Sequence, residues 1–115
     1  MNYTIHQERS YEAAPEAIYE AALGAVGGLQ GKVLAQDAAS RAIHAQFDKK
    51  IHGKVLGDRT QVEIAVGNGA DGAGQIAVDI YPIDPVGRKL QFGARKGVPQ
   101  QVLTWFFAHL EHRLS

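Results

Sequence analysis

The sequence predicts an α+β domain: a single antiparallel sheet of about five strands with two helices on one face, in the order β-α-β-β-β-β-(β)-α. Three observations carry this prediction. Apolar residues recur at helical spacing in two stretches, one near each end of the chain. Between them, short segments alternate apolar and polar residues with the period of a half-buried strand. The turns separating those segments are too brief for crossover helices, so the strands must run antiparallel.

Taken in order, Tyr3, Ile5, Gln7, Arg9 and Tyr11 share one face and mark a first strand. Ala14-Pro15-Glu16 then places a proline and an acid where a first helical turn favours them. The helix carries the stripe Ile18, Tyr19, Ala22, Leu23, Ala25 and Val26, and Gly27-Gly28 is expected to end it. Lys32 to Gln36 forms the second strand and Asp37 to Ser40 a turn. In the next strand Ile43, Ala45 and Phe47 alternate inward with Ala42, His44 and Gln46 outward. Lys49 to Leu56 reads as a continuation past a bend, and Gly57-Asp58 as a two-residue hairpin turn. It leads into a strand on which Val62, Ile64 and Val66 share a face. Beyond the glycine-rich loop Gly67 to Gly74, the next strand turns Ile76, Val78 and Ile80 inward, with Ala77, Asp79 and Tyr81 outward. Pro82 and Pro85 bracket a turn or edge segment, since proline removes a ladder donor, and Lys89 to Phe92 adds a short last strand. The closing helix, Pro99 to Leu114, carries the only tryptophan and a broad stripe of Val102, Leu103, Phe106, Phe107, Leu110 and Leu114. So aromatic a stripe needs a large apolar surface to cover.

At 115 residues the chain suits one domain, residues 1–115, with no repeat or linker to divide it. Apolar residues make up 45% and charged ones 21%, an ordinary globular balance. Twelve basic and twelve acidic residues cancel, which removes any net attraction to nucleic acid or to an anionic membrane and leaves room only for a local basic patch. Cysteine is absent, so disulfides, thiolate metal sites and thiol nucleophiles are excluded. No apolar run approaches the roughly 20 residues of a membrane span. The first residues have no basic end followed by an apolar run, and a cytoplasmic location is the expectation unless an export signal has been removed.

The helix opening A-P-E-A-I-Y-E-A-A-L, the pair K-V-L-A-Q-D and R-A-I-H-A-Q-F, and the terminal helix Val98 to Leu114 together resemble the helix-grip group of small domains. The Bet v-like lipid-binding proteins belong to that group, and the small domains of the BamC lipoprotein type are similar in their strand, helix, meander, helix order. The resemblance implies a curved antiparallel sheet holding a long C-terminal helix, and a domain that binds lipids or other proteins. It carries over no catalytic residue.

Several motifs bear on chemistry. Gly67 to Gly72 matches G-x-G-x-x-G, but a dinucleotide fingerprint needs a helix next, and a strand is expected there. Arg95, Lys96 and Gly97 precede the last helix, where free backbone N–H groups could receive a phosphate or carboxylate. Trp105, His109 and His112 fall on one flank of that helix, a candidate binding surface. Zinc would need a third ligand there, and H-L-E-H is not H-E-x-x-H, so no metal or other cofactor is expected. Glu111 lies on the other side of the helix from this flank. No nucleophile elbow or carboxylate dyad is present.

The reading that follows is a non-enzymatic binding module, for a small apolar ligand between helix and sheet or for a protein partner. Self-association through the Trp105 flank is one form of the latter. The alternative is a small cyclase- or hydrolase-like enzyme using a helix-grip cavity.

Overall fold

The computed structural model describes residues 2–115. Strand β1 (Ile5–Tyr11) leads into helix α1 (Pro15–Gly28), then β2 (Lys32–Asp37) and β3 (Ala42–Phe47). A small hairpin, β4 (Lys50–Ile51) with β5 (Lys54–Val55), stands apart as its own two-stranded sheet. Long strands β6 (Arg59–Asn68) and β7 (Gly74–Ile83) follow, and α2 (Val98–Leu114) closes the chain. The main sheet has the order β1-β7-β6-β3-β2, antiparallel throughout.

Register decides what the helices cover. Val62 pairs with Ile80, Ile64 with Val78 and Val66 with Ile76, so the inward residues of β6 and β7 lie side by side, and Ile43 and Ala45 of β3 continue the surface. Both helices lie on this face. From α1 come Ile18, Ala22, Ala25 and Val26; from α2 come Val102, Leu103, Phe106, Phe107 and Leu110, none more than 1% exposed. The Phe106 and Phe107 rings meet edge to face at 5.5 Å between centroids. These side chains fill the space under α2. Gly74 allows the close packing of α1 on β7, because a Cβ there would lie 2.9 Å from the Ala13 carbonyl oxygen and strike Ile18.

The α+β architecture and its inward residues match the expectation, while several local details differ. Gly27 and Gly28 belong to the last turn of α1, and the left-handed residue is Gln30, at φ 61°. Its N–H donates to the Gly27 carbonyl at 2.9 Å and that of Gly31 to Val26 at 2.8 Å, a Schellman closure. Residues 49–56 do not continue β3: His52 and Gly53, at φ 48° and 82°, turn them back on themselves. Gln30 holds that turn by accepting the His52 N–H at 2.9 Å. Gly57-Asp58 is then a corner into β6 and not a two-residue hairpin, since β5 and β6 are not paired. Lys89 to Phe92 forms only an isolated bridge, Lys89 to Ile83, because Leu90 donates its N–H to Pro82 and the chain then leaves the sheet. Tyr81 stands on the outward face yet is 6% exposed, with Lys89 Nζ 4.4 Å from its ring centroid.

Candidate functional site

The start of α2 gathers the predicted anion-binding residues. Gly97 caps the helix at φ 83°, and its carbonyl accepts the Gln101 N–H at 3.0 Å. Arg95 is held from below: its backbone N–H donates to Asp58 Oδ2 at 2.6 Å, and its side chain crosses Gly57, where a Cβ would collide with it. The chain ahead of β1 runs alongside. Tyr3, Ile5, Ala94, Arg95, Lys96, Gly97, Pro99 and Gln100 enclose a cleft of about 260 Å³. Tyr3, Ile5 and Pro99 give it apolar walls, and Arg95 and Lys96 bring two exposed cations. A molecule with an apolar body and an anionic group fits that chemistry.

The Trp105, His109 and His112 flank divides. Trp105 is half-buried against the core, with Lys54 Nζ 5.7 Å from its ring centroid. His109 packs on the end of α1, where a Cβ on Gly28 would lie 2.7 Å from its Nδ1. His52 joins it there through Nε2, 2.6 Å from the Gly28 carbonyl oxygen. His112 stays exposed. Among the described residues no three His, Asp or Glu side chains converge as metal ligands.

Two arrangements escaped sequence reasoning. On β1, Arg9 and Tyr11 lie on the helix side, and both donate to Glu111 Oε2 of α2, at 2.6 and 2.7 Å. The Arg9 guanidinium also lies 4.1 Å from the centroid of the Phe107 ring. The hydrogen bond from Tyr11, then that from Arg9, holds the Glu111 carboxyl below its ordinary pKa. Burial, then the hydrogen bond to Glu111, pushes the Tyr11 hydroxyl up to about 12. The second arrangement is a row across four strands of the outward face. Pairing aligns His6 with Asp79, Asp79 with Glu63 and Glu63 with His44. His6 Nδ1 is 2.7 Å from Asp79 and Nε2 is 2.8 Å from Glu8, whereas His44 is 3.6 Å from Glu63. Tyr81, pushed up to about 12 by burial and then by Glu63, accepts a hydrogen bond from Gln61 at 3.0 Å. Alternation put each residue on its face, but only register could bring them together.

The glycine-rich segment resolves as a hairpin connection, with a single 3-10 turn (Ala70–Gly72) between β6 and β7 and no helix after it. The nucleotide fingerprint therefore lacks its partner element.

Compared with known proteins, the chain matches no protein-family model and no curated protein. Solved structures share its fold. Ara h 8.0201 superposes with a TM-score of 0.67 at 15% identity, over 99% of both chains. The protein MLL2253 from Mesorhizobium loti gives 0.61 at 16% identity, over 96% of both. The di-domain ARO/CYC StfQ from the steffimycin biosynthetic pathway gives 0.62 at 8% identity, over 92% of this chain and 43% of its own length. At such identities the likeness is one of fold. The domain is helix-grip-like, with α1 and α2 laid on one face of an antiparallel sheet.

Proposed function

We propose that this protein is a non-enzymatic binding module whose ligand is a small amphipathic anion, seated at the start of α2. The observation that carries the reading is the cleft of about 260 Å³ in which Tyr3, Ile5 and Pro99 face the exposed cations Arg95 and Lys96. Seating the ligand at this end follows from the packing under α2, where Phe106, Phe107 and Leu110 already occupy the interior. The cleft at the start of α2 is lined by none of those three. The same packing weakens the reading as a cyclase- or hydrolase-like enzyme with a chamber beneath the helix, since such a chamber would have to displace those side chains.

Amide chemical shifts during titration with octanoate, and with octanol as its neutral counterpart, test the proposal. Octanoate should move the amides of Tyr3, of residues 94–98 and of Gln100, and Lys96→Ala should weaken it by about fivefold or more, the value of a lost charge-assisted contact. Equal binding of octanol removes the anion from the proposal. Shifts centred on Trp105, His109 and His112 move the binding surface to that flank and overturn the assignment.

A further inference from the structure

A net charge of zero conceals a strongly sorted surface. Two segments meet at one end of the molecule: residues 48–59, the β4–β5 hairpin with its flanks, and residues 84–97, the connection into α2. Arg95 ties them through Asp58 and Gly57. Lys49, Asp58 and Arg59 also share a cleft of about 320 Å³ with Asp84, Pro85 and Leu90. The first segment contributes Lys49, Lys50, Lys54 and Arg59. The second contributes Arg88, Lys89, Arg95 and Lys96. Eight of the twelve basic residues are therefore at this pole, against three of the twelve acidic ones, Asp48, Asp58 and Asp84. With histidines neutral, the pole carries a formal +5 and the remainder of the chain −5. Glu12, Glu16, Asp37 and Asp71 stand at the opposite end, around the β1–α1 junction and the β2–β3 and β6–β7 connections.

The same pole exposes apolar side chains. Among the described residues, four large hydrophobic side chains are exposed, and three are here: Val55 at 71%, Val86 at 77% and Phe92 at 82%. Cations and apolar tips together fit a surface that is anionic outside and apolar just beneath. A polyanion such as nucleic acid would use the charge and could stack on Phe92, but it offers Val55 and Val86 no apolar layer. An anionic bilayer satisfies both.

We propose that this basic pole docks the protein on an anionic lipid surface, with Phe92 and Val86 entering the headgroup layer and the lysines and arginines meeting lipid phosphates and carboxylates. The acidic remainder is repelled, which fixes one orientation, with the N-terminus of α2 toward the lipid. Arg88 is paired with Asp84 at 3.3 Å, and Lys89 and Lys54 lie over the Tyr81 and Trp105 rings. Lys49, Lys50 and Lys96, exposed and without such partners, are the cations readiest to engage. The inference does not rest on the ligand proposed for the cleft.

Vesicle co-sedimentation tests it. The protein should bind vesicles containing about one-third phosphatidylserine and not pure phosphatidylcholine, with each basic residue worth about fivefold in partitioning. Binding should fall steeply between about 0.05 and 0.5 M salt. Phe92→Ser should lower partitioning about tenfold or more, from the apolar area it no longer buries, and the exposed double variant Lys49→Glu/Lys50→Glu by more. Circular dichroism checks that both remain folded. Absence of binding to the anionic vesicles at low salt overturns the proposal, as does equal binding to neutral ones. Retention by a single-stranded oligonucleotide with vesicle binding indifferent to Phe92→Ser assigns the pole to a polyanion and overturns it equally.

Discussion

Strands β6 and β7 place two chemistries one residue apart on the same backbone. On the helix side, Val62, Ile64 and Val66 meet Ile76, Val78 and Ile80, none more than 3% exposed. On the other side, Gln61, Glu63, Asp79 and Tyr81 stand in register, joined to His6 and His44 on the flanking strands. The covered face gains by excluding water, in proportion to area, and each inward position is replaceable only by something of similar size and polarity. The open face gains little from any one charged pair, because water competes for its exposed groups, the buried Tyr81 apart. Stability therefore belongs to one face, and the capacity to change charge or meet another molecule belongs to the other face and to the basic pole.

The comparison breaks most visibly in the core. Phe106→Ala removes a ring that is 1% exposed and packed edge-on against Phe107, and should cost about 3–5 kcal/mol in urea unfolding. Glu63→Gln, on the open face of β6, should stay within about 0.5 kcal/mol of the parent. Similar losses for the two variants would mean that the faces are not energetically distinct.

Glu111 lies on the seam between these regimes. Its carboxylate receives Tyr11 and Arg9, and Arg9 in turn roofs Phe107, so one ionic group is tied to a core ring. Glu111→Gln should cost about 1 kcal/mol at neutral pH, a modest figure because its side chain is 46% exposed and water screens the pair. The sign follows from the lowered pKa. The stabilisation is present above the ordinary value of 4.5 and fades as pH falls through the depressed folded value. Unfolding curves of parent and variant should therefore draw together below that pH, and a gap that persisted unchanged would show that the contribution is not ionic.

How much of this could be read in the sequence follows from the range of the interactions. Period alone put Ile43, Val62, Ile76 and Phe106 on the inward side, because apolar burial is expressed along a single element. The α2 stripe was legible for the same reason. Residues 49–56 were not, because their apolar positions Ile51 and Val55 suit a continued strand as well as a hairpin. The choice was made by Gln30, some twenty residues away, through its hold on the His52 N–H. Arg95 and Lys96 could be placed at a helix start from local signals, whereas Tyr3 and Ile5 of the same cleft come from the other end of the chain. The charged pole was hidden for a further reason: composition sums charges, and only the folded chain brings residues 48–59 and 84–97 together.

The smallest expected effect is on the open face, at His6. Both ring nitrogens face carboxylates, Glu8 and Asp79, at hydrogen-bonding distance. Only imidazolium can donate to both, since the neutral ring would turn a lone pair toward one of them. The hydrogen bond to Glu8, then that to Asp79, accordingly raises the pKa above 6.5. A raised folded pKa gives a contribution that is complete below the unfolded value and lost as pH climbs through the folded one. The ring-proton titration by NMR should have its midpoint above 6.5, move down in Asp79→Asn, and move further down in Glu8→Gln. The core should be indifferent, with the thermal midpoints of both variants close to the parent's at any pH well above the observed ring-titration midpoint, where the neutral ring no longer supports the pair. A midpoint at or below 6.5 in the parent would mean that water has dissolved both contacts, and the open face would then be a set of independent charges instead of a paired row.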